Sequence, residues 1–428
     1  MISANKVLAR YANSEATHER NRQRPDRDGR VRRSVAACRR RHDHAIQTLL
    51  FAASVGIIVT NLFAPQTLVG LIGPSLGAAA SESGLVSMAT LLGYAAGLFF
   101  LVPLSDLVEN RVLVLRMLCA AALAAAVASF APSAASLLAV LFVLGAACSC
   151  IQVLVPVAAS MAPPGQDGRV IGDVMSGLMI GILLSRPIAS LVADAFGWRA
   201  FYGISAAALA LLAILLGLAL PRRKPLAHTS YAGLIASLVG LLAQEPVLRR
   251  RAFTASLVMA AFSVFWTAVA LRLSAPPFDL GQKGIALFAL VGAGGAAVTP
   301  IFGRAGDRGF TRTATILCHL VLIAALGLAA WAGATKAGAW LPLILMGVSA
   351  VLLDIGVTGD QTLGRRAVNL LQPKARGRIN GLFVGIFFIG GAIGSLLAGI
   401  AWTWGGWNAV CAVGALFGVV ALVVDWTE

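Results

Sequence analysis

The chain has 428 residues, 58% of them hydrophobic and 12% charged, with a mean hydropathy of +0.84. A soluble core of this size cannot hide so much apolar surface, whereas a bilayer can. The net charge of +16 does not argue for nucleic-acid binding, because 12 of the 34 Lys and Arg lie in residues 1–45 and most of the others fall in short gaps between apolar runs, the distribution of membrane topology signals.

Residues 1–45 carry RNRQRPDRDGRVRR and CRRRHDH with almost no apolar periodicity, which predicts a basic, disordered cytoplasmic tail without the apolar core of a cleavable signal peptide. Apolar spans follow at 46–69, 83–105, 111–131, 134–158, 169–195 and 199–220. A polar, basic connector, 221–251, holds a weaker amphipathic segment at 231–243 that predicts a helix lying on the membrane surface. Spans resume at 252–273, 284–303, 312–332, 339–361, 379–402 and 407–425. The expected architecture is therefore all-α integral membrane, twelve transmembrane helices in two pseudo-symmetric six-helix bundles: 46–220, then the 221–251 connector, then 252–428. With the N-terminus inside, the inner gaps hold 17 Lys and Arg beyond the tail and the outer ends hold four (Arg199, Arg272, Lys283, Lys336), so both termini are expected in the cytoplasm.

The halves repeat. Gly168–Trp198 realigns, 209 positions later, with Gly377–Trp407, matching Gly168/Gly377, Arg169/Arg378, Gly172/Gly381, Gly181/Gly390, Gly197/Gly406 and Trp198/Trp407. Repeated spans rich in small residues are a transporter architecture. The glycines of the fifth span (Gly172, Gly177, Gly181) and the eleventh (Gly381, Gly385, Gly390, Gly394) are expected to let the bundles approach and slide.

Two short inner loops share one device. LVPLSDLVENR follows the second span and GRAGDRGFTR the eighth, each placing an Asp (Asp106, Asp307) past a helix end with arginines after it. Such an Asp can hold a neighbouring helix N-terminus or an Arg and clamp the inner face shut, or it can sit in a solvated loop. The expected gate residues are Asp106, Arg111, Gly303, Asp307 and Arg308.

These features resemble the major facilitator superfamily, over about residues 46–425. In that family the loops after helices two and eight carry a G-x-x-x-D-R-x-G-R-R signature. Gly303, Asp307 and Arg308 keep the spacing, whereas the first copy has Val102, Leu107 and Glu109 at the first Gly, the Arg and the second Gly. The PLSDLVENR form, RVIGDVMSG–SRPIA in the fifth span and LLDIGV–ARGRIN around the tenth are similar to the drug/sugar efflux branch. That resemblance implies a proton-coupled antiporter exporting a small organic solute, a monomer in the inner membrane. The family's acidic residue in the first span is missing here, as is the intramembrane Arg of an R-x-x-Q-G pattern in the fourth, where Gln152 stands for part of it.

Within the spans, Arg186 precedes Pro187 in the outer half of the fifth, where a guanidinium needs water, a partner or a substrate, or snorkels outward toward Asp194. Asp354 is the one carboxylate deep in a span, in its inner part and so at a different depth from Arg186, with Asp173 and Asp360 near inner ends. Withdrawing a carboxylate from water favours its protonated form, as proton coupling requires; the alternative is a structural pair with an inner-loop base. His319 in the ninth span either joins a proton relay or packs as a satisfied core histidine. Asn61, Gln152 and Trp266 complete the expected substrate cavity with Arg186, each with a helix–helix hydrogen bond as its alternative. The six cysteines form no CxxC pair, and neither a metal site nor a cofactor is expected. No Walker loop, HExxH or nucleophile elbow is present, so the chain is not expected to be an enzyme. The expected partners are a small-molecule substrate, protons and lipid, and no nucleic acid. Importer or uncoupled facilitator is the same-class alternative, and a non-transporting receptor on the same fold the different-class one.

Overall fold

A chain segment in hydrocarbon must satisfy its backbone amides internally, and helices meet that demand. The computed structural model describes residues 27–77, 79–163, 165–222, 230–335, 340–372 and 375–427. Among them there is no strand, and ten helices are long and apolar enough to cross a membrane. The chain forms two compact units, residues 1–49 and residues 50–428. The described part of the first is the leading portion of α1 (Arg27–Phe63). Residues 27–45, expected within a disordered tail, are helical, in keeping with the high helix propensity of their Arg and Ala; the rest of the expected tail lies outside the described residues.

The second unit carries the spans. α1 stops at Phe63 and Pro65 opens α2 (Pro65–Ser75), so the first span is divided where proline has no N–H to give. α3 (Ser83–Phe100) runs into a 3-10 turn, Val102–Asp106. α4 (Asn110–Ser129) follows, and the fourth span divides at Ser149 into α5 (Ala134–Cys148) and α6 (Ile151–Ser160). α7 (Asp167–Phe196) and α8 (Trp198–Ala219) complete the first half. α9 (Tyr231–Gln244) is the amphipathic connector helix, burying Leu234, Leu238 and Leu241 at helical spacing. It touches both halves: the Tyr231 hydroxyl donates to the Phe100 carbonyl at 3.0 Å, and Arg378 donates to the Ser237 hydroxyl at 2.9 Å.

α10 (Pro246–Leu273) opens the second half. The eighth span is not continuous. α11 (Gln282–Gly292) gives way to a 3-10 turn, Ala293–Val298, and then to α12 (Thr299–Asp307), as GAGGAAV weakens the α-helix. α13 (Thr311–Ala334), α14 (Trp340–Asn369) and α15 (Arg376–Trp426) finish the chain. α15 is two helices meeting at a kink at Gly405 and Gly406. The cut eighth span and this joined pair account for ten long helices where twelve spans were expected.

The repeated Gly-Trp pairs now have a physical reading. Gly197 (φ 81°, ψ 160°) and Gly406 (φ 60°, ψ −149°) occupy a backbone region open essentially to glycine alone, and each reverses the chain between helices. The following tryptophan pins the corner. Trp198 Nε1 donates to the Ser75 hydroxyl at 2.9 Å and Trp407 Nε1 to the Ala329 carbonyl at 2.8 Å.

The span glycines do different work from that expected. Gly177 and Gly181 abut the α1 backbone at Ala52 and Gly56, and Gly390 and Gly394 abut the α10 backbone at Ser256 and Ala260, so a Cβ at any of the four would collide with a main chain. They weld helices within each half rather than letting the halves slide. Only Gly385 among the expected set faces across the halves, against Phe99 of α3; Gly172 and Gly381 lie in open space. α3 and α15 are the long seam between halves, with Gly84 against Ser395 and Gly399 against Ser81. The second seam joins α7 to α11, where Lys283 Nζ lies 3.6 Å from Asp194 Oδ2. The outer surface is apolar, with Leu123, Ile214, Leu218, Ile344 and Leu416 each more than half exposed, as a lipid-facing jacket requires.

Candidate functional site

At the middle of the second unit a buried arginine, a tryptophan and a carboxylate lie in sequence. Arg186 on α7 is 3% exposed. Its Nε donates to Gln66 Oε1 at 2.9 Å, fixing the guanidinium against α2. Its Cζ stands 4.1 Å from the Trp266 ring centroid, 5.1 Å from that of Phe262 and 5.5 Å from that of Phe63. A desolvated guanidinium over an indole gains about 2 kcal/mol, which helps hold this side chain in the interior. On the indole's edge, Trp266 Nε1 donates to Asp354 Oδ1 at 3.0 Å. Arg186 and Asp354, which residue counting had set at separate depths, are thus joined through one aromatic ring. Arg186 does not snorkel to Asp194, which lies with Lys283 instead.

The broken eighth span borders this centre. A Cβ at Gly292 would lie 2.6 Å from the Trp266 ring, and one at Gly295 would lie 2.5 Å from Asp354 Cβ. The glycines that interrupt the helix therefore also make room for the tryptophan and the acid. Interrupted helices beside a polar centre at membrane depth are where transporters place solute and ion sites.

The other expected cavity residues divide. Gln152 Nε2 donates to the Tyr94 hydroxyl at 3.3 Å, and the Tyr94 ring packs edge-on against Phe388 at 4.6 Å, so Gln152 sits on an aromatic wall shared by both halves. Asn61 does not line a cavity. It is fully buried and its Oδ1 accepts from the Ser205 hydroxyl at 2.6 Å, the helix–helix alternative.

His319 is remote from Asp354 in bonding terms. Its Nε2 lies 3.1 Å from Asp360 Oδ1 and 3.9 Å from Asp425 Oδ2, and Asp425 Oδ2 accepts from Arg251 Nη1 at 3.1 Å with Arg250 Nε 3.4 Å from Oδ1. Asp360 and Asp425 are 2% and 1% exposed, so carboxylates nearer the helix ends are also withdrawn from water. Two carboxylates and two guanidiniums already balance in charge there, so a metal ion would add uncompensated charge.

The Asp–Arg contact expected of the gate forms in one loop only. Asp307 Oδ1 accepts from Arg366 Nε at 3.2 Å, with Arg366 Nη2 at 3.1 Å, but both residues belong to the second half, so the pair ties α12 to α14 and does not clamp one half to the other. Gly306, not Gly303, makes the close approach: a Cβ there would lie 3.0 Å from Arg366 Cδ, while one at Gly303 would meet nothing within 4 Å. Asp106 is exposed at the end of its 3-10 turn and, among the described residues, forms no ion pair with Arg111 or any other base; Arg308 is likewise exposed.

Sequence reasoning passed over Tyr94, Phe262, Asp425 and the Gly292–Gly295 break. Gln66, directly after Pro65 in a span without charge, was legible as a candidate lining residue but ranked behind Asn61.

The Major Facilitator Superfamily model matches residues 49–364. The "Uncharacterized transporter YgaY" of Escherichia coli O157:H7 is 36% identical over 378 residues, 88% of this chain and 94% of that protein. The "Probable transporter SCO4007" of Streptomyces coelicolor is 30% identical over 385 residues, 88% of this chain and 85% of that one. Among solved structures, the nucleoside transporter NupG aligns with a TM-score of 0.68 at 15% identity, covering 89% of this chain and 98% of that one. A bacterial homolog to the human lysosomal transporter Spinster, inward-facing and occupied, aligns with a TM-score of 0.67 at 14% identity, covering 90% and 96%.

Proposed function

Because the chain belongs to the Major Facilitator Superfamily, we propose that it is a proton-coupled secondary transporter that moves a small organic solute across the inner membrane by alternating access, with Asp354 carrying the proton. The observation that carries this reading is the Arg186–Trp266–Asp354 series, because it places an ionisable carboxylate against a cation supplied by the other half of the chain. A carboxylate whose countercharge belongs to the opposite half changes its surroundings when the halves rock, which is what coupling proton binding to access requires. Twelve crossings are supported by the twelve apolar runs, and termini in the cytoplasm by the excess of Lys and Arg at one end.

Export is the direction favoured by the likeness of PLSDLVENR and LLDIGV to the efflux branch. Uptake or uncoupled facilitation is the second reading, favoured by residues 50–75 holding no Asp or Glu where related exporters place an acid. The test is proton release from inverted membrane vesicles energised by respiration, on addition of sugars, nucleosides, amino acids, organic anions and cationic drugs. Dequenching of a pH-sensitive dye by one class, lost in Asp354→Asn of normal fold, is the expected result. Undiminished proton-driven transport in that variant would remove Asp354 from the mechanism.

A further inference from the structure

The Arg186 guanidinium is only partly accounted for. Because Nε donates to Gln66 Oε1, the Gln66 amide must point its NH2 group the other way. Among the described residues, Gln66 Nε2 and Arg186 Nη2 are both buried and have no acceptor, and Arg186 makes no ion pair. Asp354 does not fill this role, since it accepts from the indole N–H while the guanidinium lies on the ring face. The centre therefore offers donors without acceptors, beside a full positive charge, inside a wall of Phe63, Phe262 and Trp266. A cationic ligand would add charge of the wrong sign, and a neutral one would leave the guanidinium with only the indirect countercharge of Asp354 across the indole. A planar or tetrahedral oxyanion satisfies both donors and the charge together.

We infer that the transported solute carries an anionic oxygen group, a carboxylate, sulfonate or phosphate, received by Arg186 Nη2 and Gln66 Nε2. The inference rests on the transport reading and names the substrate class of the same site. It also sets the pH response. Arg186 is the charged group that interacts with Asp354, while His319 of α13, Arg251 of α10 and Asp425 of α15 face one another elsewhere. Ionised Asp354 supplies Arg186 with countercharge through the indole, so a proton on Asp354 leaves the guanidinium freer for an anion. By linkage, anion binding strengthens as pH falls and in turn promotes proton uptake, the sign of co-transport, which favours the uptake reading over export.

The experiment is ligand-induced thermal stabilisation and calorimetry on the full chain in detergent. The probes are benzoate, toluenesulfonate and phenyl phosphate, each set against neutral benzamide and cationic benzylamine. The expected result is binding of at least one anion and of neither isostere, about tenfold tighter at pH 5.5 than at pH 7.5. Gln66→Glu keeps an acceptor for Arg186 Nε, and so preserves the local fold, but replaces the free donor with a negative oxygen; it should abolish anion binding. Arg186→Gln should do the same. Asp354→Asn should bind anions with no pH dependence. Binding of benzamide or benzylamine as tight as the anions, undiminished anion binding in Gln66→Glu, or no stabilisation by any of the three anions would each overturn the anion site. An unchanged pH slope in Asp354→Asn, with Gln66→Glu inactive, would instead refute Asp354 as the proton carrier and leave the anion site standing.

Discussion

Two carboxylates at the arginine-rich end hold arginines in very different surroundings, and their removal should differ accordingly. Asp425, 1% exposed, accepts from Arg251 at 3.1 Å, and Arg251 is itself 8% exposed. Asp425→Ala takes a buried partner from two arginines and a histidine while leaving their desolvation in place, a loss of about 3–5 kcal/mol. Asp307 meets Arg366 at a similar 3.1 Å, but the side chains are 72% and 37% exposed. There water and salt screen the pair, and Asp307→Ala should cost about 0–1 kcal/mol, less at high salt. The assay is thermal unfolding of both variants in one detergent at low and high salt. Asp425→Ala should melt on the order of 5 °C or more below Asp307→Ala, allowing roughly 2–4 °C per kcal/mol for domains of 150–250 residues and less for a longer chain. Melting of the two within a degree of each other would refute the reasoning, because contact distance and not burial would then set the value of these pairs.

Trp266→Phe keeps an aromatic face under Arg186 and removes the N–H that meets Asp354; stability should drop by about 1–3 kcal/mol, with transport slowed more than expression, measured by melting and vesicle flux. Gly292→Val drives a side chain into the Trp266 ring and should cost about 1–3 kcal/mol and most of the flux, whereas Gly303→Ala, which meets nothing, should behave as the parent protein.

The spans, the connector helix and the doubled Gly-Trp corners were legible because each rests on a local rule: length of apolar run, amphipathic spacing, and a backbone conformation that only glycine adopts. The break in the eighth span was written in GAGGAAV, yet apolar small residues look the same in a straight helix and an interrupted one. The pairing of Arg186 with Asp354 was hidden by depth arithmetic. At about 1.5 Å per residue, Arg186 is about 15 Å from the Phe196 end of α7 and Asp354 about 21 Å from the Trp340 end of α14. An indole ring spans that difference, and side-chain reach is not visible in residue counts. Asn61 failed for a related reason. A polar side chain within a span is placed by its neighbour, Ser205, which lies 144 positions away.

The glycine welds have a consequence for what changes during a transport cycle. α1 with α7 and α10 with α15 are held backbone to backbone. Arg186 and Gln66 therefore travel as passengers of one body, and Trp266 and Asp354 as passengers of the other. The donor fork and the tryptophan–acid bond keep their shapes, and within the Arg186–Trp266–Asp354 series the contact left to alternate is guanidinium on indole face. The machine's moving part, in this view, is a cation that is slid off a ring and back again, and the fluorescence of Trp266 becomes its clock.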